Sequence, residues 1–190
     1  MTVPERLIDA ATSLFAEKGF DRVAVQEIVE RAGVTKGAMY HYFGSKDDLL
    51  REIYGRVLRM QQERLEKFAA DTDPVAERLH AAAADVIITS VENYDAAKVF
   101  FRSVDSLPAE IRKDVRAERR KYHERFRALI EEGQAGGEFR ADVPADLATH
   151  YFFGTVHHLG TWYRLDGPLK PEQLARHYAD LLLASLRHQH

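Results

Sequence analysis

The chain contains no cysteine, and this absence excludes several kinds of site at once. Without thiols there can be no disulfide framework, no thiolate zinc site and no cysteine nucleophile. The sequence also has no apolar run near the ~20 residues that a membrane helix needs, and no signal-peptide core near its start. We therefore expect a cytoplasmic protein that does not insert into a membrane.

A surplus of basic residues is also missing. The chain has 27 Lys and Arg against 30 Asp and Glu, and its formal net charge is −3. Residues 1–50 contain six basic and eight acidic residues, so this segment carries no basic patch either. Composition alone thus does not indicate nucleic-acid binding, which would have to rest on the placement of a few side chains.

Sustained strand-like alternation is absent as well, and the segments between turn signals are too long for strands. Apolar residues recur instead at spacings of three and four, as in Leu7, Ala11 and Leu14 of the first segment. Repeated along the chain, this spacing predicts an all-α fold of about nine helices. Three short helices form an N-terminal helix-turn-helix unit, and the others, ending with helices over residues 145–163 and 172–186, form a larger body.

A helix, a glycine-containing turn and a second helix follow each other over residues 25–47. Gly33 breaks the chain after the first of these helices, and the Thr35 hydroxyl can cap the second. This is the layout of a helix-turn-helix, whose second helix enters the major groove of DNA. The residues at its start are small or cationic, and longer polar side chains beyond them can reach phosphates. The predicted DNA-binding residues are Gln26, Thr35, Lys36, Gly37, Ala38, Tyr40, His41 and Lys46.

Residues 4–54 resemble the TetR family of bacterial regulators. The matching motifs stand in the family's order and spacing and are Phe15–Phe20, Ile28, Ala32–Val34, Lys36–Gly37, Tyr40, Tyr42–Phe43 and Ser45–Lys46. The resemblance implies a homodimeric regulator, usually a repressor, that binds double-stranded operator DNA and leaves it when a small ligand binds. The implied domains are a helix-turn-helix DNA-binding domain over residues 1–47 and a ligand-binding and dimerisation domain over residues 48–190.

One residue departs from the family's pattern. The family has Ser or Thr just before the first helix of the motif, where the hydroxyl caps that helix and touches phosphate, and this chain has Ala24 there. Replacing a capping hydroxyl with alanine costs ~1 kcal/mol. We expect this contact to be lost, or to be taken over by Gln26 or by the backbone.

The last two predicted helices carry apolar stripes, and Gly154, Gly160 and Ala184 would let helices approach closely. Two such helix pairs would make a four-helix interface between two copies of the chain. The alternative is that both helices only cover the core of one copy. A dimer is favoured because operator half-sites ~34–36 Å apart need two recognition helices. The predicted interface residues are Tyr151, Leu159, Leu174, Tyr178, Leu181 and Leu182.

The larger body contains more aromatic side chains than a minimal core requires. In the resembled family the inducer pocket lies among the central helices of this domain, and rings with a few polar groups are typical of ligand cavities. Taken singly, each ring is explained by core packing. The predicted ligand-binding residues are Tyr94, Phe101, Tyr122, Phe126, Phe153, His157 and Trp162.

The segment Trp162–Leu169 is similar to one in family members that sense acyl-CoA thioesters. It implies an apolar or amphipathic effector, with an acyl-CoA as one candidate. Five cations between residues 116 and 125 could hold a CoA phosphate, since guanidinium pairs bidentately with phosphate. The same cations could instead form a solvated helix face balanced by neighbouring glutamates.

A second class of function is an all-helical enzyme or metal-binding protein that uses His150, His157 and His158. His150 and His157 are seven residues apart, whereas metal-binding pairs on a helix usually need a spacing of three or four. The sequence has no Ser-His-Asp arrangement, phosphate-binding loop or dinucleotide motif. We therefore predict a protein that is not an enzyme and holds neither a metal nor a cofactor. A helical interaction protein without DNA binding would leave residues 35–46 unexplained.

Overall fold

Helices make up the fold of residues 1–188, the part of the chain that the computed structural model describes. Within this part lie nine α-helices of seven residues or more, one single-turn α-helix and two 3-10 helices of three residues each, and none of its residues belongs to a strand. The prediction of an all-α fold of about nine helices is confirmed. No described helix combines the length and the apolarity that a membrane crossing requires. The helices are α1 Val3–Lys18, α2 Val25–Ala32, α3 Lys36–Tyr42, α4 Lys46–Ala70, α5 Val75–Glu92, α6 Tyr94–Ser103, α7 Ala109–Ala135, α8 Ala145–His157, α9 Leu159–Trp162 and α10 Pro171–Leu186.

The helix expected over residues 145–163 is interrupted, which corrects that prediction. α8 ends at His157, and the single turn α9 follows. Nδ1 of His158 lies 2.9 Å from the Gly154 carbonyl oxygen, and the Thr161 hydroxyl donates to the His158 carbonyl at 2.7 Å. Because these side chains bond the backbone locally, they compete with the helical hydrogen-bond ladder.

Residues Met1–Val57 and Asn93–Ala117 form one compact unit, called unit 1 below. In it α1 packs against α2, α3 and α6. Tyr54 of α4 stacks on Phe100 of α6, with ring centroids 3.5 Å apart. Unit 1 is thus larger than the DNA-binding domain expected over residues 1–47, whose boundary stays a prediction. The core of unit 1 includes Leu7, Leu14, Phe15, Ile28, Met39, Leu49, Ile53 and Phe100, each at most 3% exposed.

Unit 2 comprises Leu58–Glu92 and the described residues from Glu118 onward. In it α10 packs along α5, and α8 contacts both. Arg78 is buried and joins three segments, because its guanidinium donates to backbone carbonyls of α4 and of the loop before α5 and pairs with Glu132 of α7. The core of unit 2 includes Leu79, Ile87, Phe126, Leu129, Ile130, Leu174, Leu182 and Leu186.

Gly133 of α7 leaves room for a ring inside unit 2. A Cβ at this position would lie 2.2 Å from Cδ2 of Phe139, which is buried. We expect Gly133→Ala to lower the free energy of unfolding by about 1–3 kcal/mol, because overpacking outweighs the ~1 kcal/mol gained in helix propensity. Gly37→Ala in α3 is the control, since its Cβ would meet only the Thr35 hydroxyl, at 3.8 Å. Chemical denaturation compares the two, and an unchanged midpoint for Gly133→Ala would contradict the expectation.

Candidate DNA-binding surface and effector site

The turn between α2 and α3 depends on Gly33, whose φ of 64° lies in the left-handed region that favours glycine. Its N–H donates to the Glu30 carbonyl at 3.1 Å and so closes α2. Thr35 caps α3 as predicted, since its hydroxyl accepts the Ala38 N–H at 3.1 Å. Met39 is fully buried and anchors α3 on unit 1. One face of α3 is therefore fixed to the core, and the opposite face is exposed.

The predicted DNA-binding residues lie on or beside this exposed face. Gln26, Thr35, Lys36, Gly37, Tyr40 and His41 are exposed, and Ala38 and Lys46 are partly exposed. Tyr42, which the sequence interpretation did not include, is 49% exposed, and its ring meets that of His41 edge-on. A tyrosine hydroxyl at the end of a recognition helix can donate to phosphate. We add Tyr42 to the predicted contacts because it is exposed, and the helical pattern of the sequence does not reveal that exposure.

The start of α2 is capped without a hydroxyl at Ala24. The Glu27 carboxylate accepts the Ala24 N–H at 3.1 Å and pairs with the Lys18 ammonium. Both bonds lower the pKa of Glu27, and the bond from Lys18 is the larger cause. The Gln26 amide, expected as one substitute for the missing cap, donates to Glu30 at 2.6 Å instead. The acid nearest this helix terminus is thus held beside a positive charge, which limits its repulsion of DNA.

Lys46, predicted to reach a phosphate, is engaged inside unit 1. Its ammonium donates to the carbonyls of Phe20 and Val23 at 2.8 and 3.1 Å and lies 4.3 Å from the centroid of the Phe20 ring. An ammonium has three donors, so these contacts use two of them and add a cation–π interaction. They hold the start of α4 against the turn that follows α1. We therefore revise the expected role of Lys46 from a phosphate contact to the positioning of the helix-turn-helix.

Lys46→Met removes this ammonium and keeps an unbranched apolar chain in its place. We expect it to lower the free energy of unfolding by about 1–3 kcal/mol, because two carbonyls lose a charged donor. Operator affinity should fall as the motif loosens, with an unchanged slope of log K against log salt. Lys36→Met is the matched control, since this lysine is exposed, and its loss should leave the free energy of unfolding unchanged and alter base preference. A slope lowered by one in Lys46→Met would restore Lys46 to the phosphate contacts.

Unit 2 exposes an apolar face, which we define by Leu147, Tyr151, Trp162 and Leu181, each 51–66% exposed. Tyr151 and Leu181 were predicted as dimer contacts, and Leu147 belongs to the apolar stripe of the same helix as Tyr151, which the sequence assigned to self-association. Leu159, Leu174 and Leu182 were also predicted as dimer contacts, but they are 3%, 1% and 2% exposed. They pack inside unit 2, so they are corrected to core residues.

A groove of about 500 Å³ opens beside the apolar face. Tyr178, also a predicted dimer contact, is partly exposed there. Gly154 lies inside α8, three residues before its last residue, and a Cβ built on it would meet nothing within 4 Å. Glycine costs a helix interior ~1 kcal/mol, so this bare stretch is suited to the close approach of another surface. The groove is lined by His150, Tyr151, Gly154, Thr155, His158, Trp162 and Tyr178.

The segment Trp162–Leu169 combines an anchoring residue with exposed ones. Tyr163 is buried, and its hydroxyl donates to the Leu169 carbonyl at 3.1 Å, which closes the loop before α10. Arg164 pairs with Asp166 at 3.0 Å on the surface of that loop. Trp162 lines the groove on the apolar face, so this predicted ligand residue is equally placed to contact a second copy.

The predicted ligand-binding residues fall in both units. Tyr94 and Phe101 belong to unit 1, and the other five belong to unit 2. Phe126 is fully buried and stacks on Phe152 with ring centroids 5.1 Å apart, as a core residue does. Tyr122 lines a cavity of about 330 Å³ between α4 and α7 in unit 2. Two of its polar residues, Lys121 and Arg125, are among the five cations considered for a CoA phosphate, and the polar residues from α4 were not predicted. The lining is Gln62, Glu63, Leu65, Glu66, Lys121, Tyr122 and Arg125.

His123 and His157 of unit 2 are partly buried imidazoles. Burial lowers the pKa of His123 to about 4 and that of His157 to about 3, and the Arg119 charge is the second cause for each. The His123 ring stacks on Phe153 with centroids 4.0 Å apart. Nη2 of Arg119 lies 3.3 Å from the ring nitrogens of His157. Both rings are therefore neutral at pH 7.

The three histidines of the enzyme or metal alternative have separate partners. His150 lies beside the Asp146 carboxylate at 3.6 Å, His157 lies beside a guanidinium, and His158 meets a backbone carbonyl of α8. Within residues 1–188 no group of three His, Cys, Asp or Glu side chains could hold a metal ion. The geometry gives this alternative no support.

Comparison with known proteins finds two family models that match the chain. The model described as bacterial regulatory proteins, tetR family, matches residues 7–53. The model described as tetracyclin repressor-like, C-terminal domain, matches residues 72–186. The helix-turn-helix lies within the first match, and α5 to α10 lie within the second.

Individual proteins give the same result. The HTH-type transcriptional repressor KstR2 of Rhodococcus jostii (strain RHA1) is 29% identical over 191 residues, covering 97% of this chain and 91% of that protein. The TetR family transcriptional regulator PfmR from Thermus thermophilus is 32% identical, with a TM-score of 0.87 over 96% of this chain and 100% of that one. AibR, solved in complex with isovaleryl coenzyme A and operator DNA, shares the fold at 22% identity, with a TM-score of 0.81 over 98% of both chains. The chain belongs to the TetR family and is a ligand-responsive, DNA-binding transcriptional repressor.

Proposed function

We propose that two copies of the chain bind the two halves of an operator through α3, and that a small apolar or amphipathic effector releases them. An acyl-CoA is the effector class that we favour. The observation that carries the proposal is the construction of α3, which is capped by Thr35, anchored by Met39 and exposed along Lys36, Gly37 and Tyr40. Because the proposed role requires access to operator DNA in the cell, we expect the protein in the cytoplasm.

The exposed face of α3 supports a division between base and phosphate contacts. The residues at the start of α3 are small or cationic, so the backbone can approach base edges there. Changes at Thr35, Lys36 or Ala38 should therefore alter base preference. Tyr40, His41 and Tyr42 lie further along α3, and they are placed to contact the DNA backbone. A formal net charge of −3 is compatible with this role because only a few side chains would meet the DNA.

The apolar face of unit 2 supports the dimer. Soluble monomers rarely expose large contiguous apolar patches, and aromatic residues are enriched where proteins associate. A two-fold axis through this face would bring the same residues of two copies together, as closed symmetric dimers require. Tyr151, Trp162 and Leu181 would then be buried by the second copy.

The cavity between α4 and α7 supports effector binding in unit 2. Leu65 and Tyr122 give it an apolar part, and Lys121 and Arg125 bring cations to it, with Arg125 donating to Glu66 at 2.9 Å. An apolar wall with nearby cations fits an acyl chain joined to a phosphate-bearing carrier. The complex of AibR with isovaleryl coenzyme A supports this class of effector.

Two continuous helices support coupling between effector and DNA. α4 begins in unit 1, where Lys46 holds the helix-turn-helix, and continues to the cavity residues of unit 2. α7 likewise runs through both units. An effector that displaces the cavity part of α4 therefore acts on the helix that positions α3, and it shifts the population away from the DNA-binding conformation.

Operator binding measured with and without acyl-CoA thioesters tests the proposal. DNA from upstream of the chain's own gene is the first operator to try, by mobility shift and fluorescence anisotropy. A coupling free energy of ~1–3 kcal/mol would weaken DNA binding by about 5- to 150-fold, and DNA must weaken effector binding by the same factor. Equal effector affinity with and without operator would refute the coupling. Equal binding of free CoA and its acyl forms would refute an apolar pocket.

A further inference from the structure

Arg6 of α1 brings a positive charge to the turn of the helix-turn-helix. Its Nη1 lies 3.7 Å from the position that a Cβ on Gly33 would take. Nε of Arg6 is buried without a hydrogen-bond partner, whereas the residue as a whole is partly exposed. Because Gly33 ends α2 two residues before Thr35, the cap of α3, this guanidinium lies at the junction of the two helices.

Half of the six cations in residues 1–50 are held inside unit 1. Lys18 and Arg31 pair with glutamates, and Lys46 donates to backbone carbonyls. The other three have no ion pair within residues 1–188, and they are Arg6, Arg22 and Lys36. Arg6 is thus one of three charges of this segment that remain available to an anionic partner.

The acids that neighbour Arg6 along α1 do not neutralise it. The Glu5 carboxylate accepts the Thr2 N–H at 2.7 Å and so takes part in the cap at the start of α1. Asp9, about one turn further along α1, is exposed and forms no ion pair with Arg6. In the part of the chain that the structure describes, Arg6 therefore has a full positive charge, a buried donor and no anionic partner.

A cation at this junction lies beside the groove that α3 would enter. The major groove is about 12 Å wide, so a helix inside it has a phosphate backbone within several ångströms on either side. In a helix-turn-helix the helix before the recognition helix crosses that backbone. The fork of donors on a guanidinium matches two phosphate oxygens. A phosphate is thus the partner whose charge and position both suit Arg6.

We propose that Arg6 contacts a phosphate of duplex DNA at the end of α2, beside the start of α3. The inference rests on the proposed function, because it requires α3 to lie in the major groove. It assigns Arg6 to affinity and register, since a phosphate contact carries no base preference. The alternative is a purely structural role, in which Arg6 only stabilises the negative end of the α2 dipole. The two roles differ in how DNA binding responds to salt.

Salt titrations of Arg6→Met, on the full chain with two duplexes, test the contact. One duplex is the DNA upstream of the chain's own gene, and the other is a scrambled sequence of the same composition. Binding of both should weaken by a similar factor of about ten, and the slope of log K against log salt should become shallower by about one per copy bound. Arg31→Met is the matched control and should keep the wild-type slope, because Glu17 already neutralises this guanidinium. An unchanged slope in Arg6→Met, or an equal change in Arg31→Met, would overturn the contact.

Two further variants separate the charge of Arg6 from a structural role. Arg6→Gln keeps a polar side chain without the charge and should change the slope as Arg6→Met does, whereas Arg6→Lys should keep the wild-type slope. Chemical denaturation should give all three variants midpoints close to that of wild type, and a lowered midpoint with a wild-type slope would establish the structural role instead. Lys36→Met separates the contact from the proposed function. If Lys36→Met has normal base preference and Arg6→Met a shallower slope, binding through α3 fails and the contact stands; with the opposite results the contact fails and binding through α3 stands.

Discussion

Leu181→Arg is expected to give monomers that bind operator DNA about 100-fold more weakly, or worse. Leu181 is 66% exposed in one copy, so the arginine leaves the core of unit 2 intact. In the dimer the same position would be buried against a second apolar face, where an unpaired charge is costly. A monomer holds one half-site and loses the gain of ~10²–10⁴ that two linked sites provide. Sedimentation measures the oligomer, and fluorescence anisotropy measures the affinity.

Two other variants show whether the effect is specific to the interface. Thr72→Arg adds the same charge in the exposed loop between α4 and α5, and it should dimerise and bind DNA as wild type does. Leu174→Ala should lower the free energy of unfolding by about 2–5 kcal/mol without breaking the interface, because Leu174 is a core residue. A stable Leu181→Arg dimer with normal affinity would move the interface to another surface.

Acidification from pH 7.5 to 5.5 is expected to destabilise the fold by about 3 kcal/mol through His123 and His157. Their pKa is 6.5 in the unfolded chain and about 4 and about 3 in the fold. Between these values the unfolded state binds more protons than the folded state. The contribution of the two neutral rings to the free energy of unfolding is therefore complete above pH 6.5 and falls as the pH drops below it. Each group contributes about 1.4 kcal/mol per pH unit in that window. The loss levels off once the pH passes the folded pKa values.

Denaturation at fixed protein concentration, repeated between pH 7.5 and 5.5, measures this loss. This pH range separates the effect of histidines from that of carboxylates. Glu17 and Glu27 have lowered pKa values, so they change the free energy of unfolding only below their ordinary pKa of 4.5. His123→Gln and His157→Gln should each remove about half of the pH dependence. His41→Gln, at an exposed position, should remove none. Stability that does not change across this range would show that the two rings are not buried in the neutral form.

Local sequence signals were sufficient for the helix-turn-helix. Helical spacing is a property of neighbouring residues, and the Thr35 cap and the Gly33 turn each act within a few positions. The same signals predicted the order of the helices and the family. They failed at His158, where side-chain bonds to the backbone accompany the end of α8 at His157, six residues before the end that the apolar pattern indicates.

Long-range features could not be predicted in the same way. Leu181 and Leu182 are adjacent, yet one is exposed and the other buried, since successive helical residues point about 100° apart and an apolar stripe suits both a core and an interface. The carbonyls that hold Lys46 lie 23 and 26 residues away in sequence. The cavity between α4 and α7 is lined largely by polar residues, which resemble an ordinary solvated surface until the two helices are brought together.

The division of the chain into interleaved units determines how such a gene can be cut and recombined. A fragment that ends at residue 47 omits Leu49, Ile53 and Phe100, all of which complete the core of unit 1. If two regulators exchanged whole N-terminal segments, the N-terminal helices of each would have to pack against an α6 that comes from the other regulator. The exposed positions of the seven-residue α3 do not depend on α6 in this way. New operator preferences can thus arise by point substitution on α3, while the scaffold that reads the effector stays unchanged.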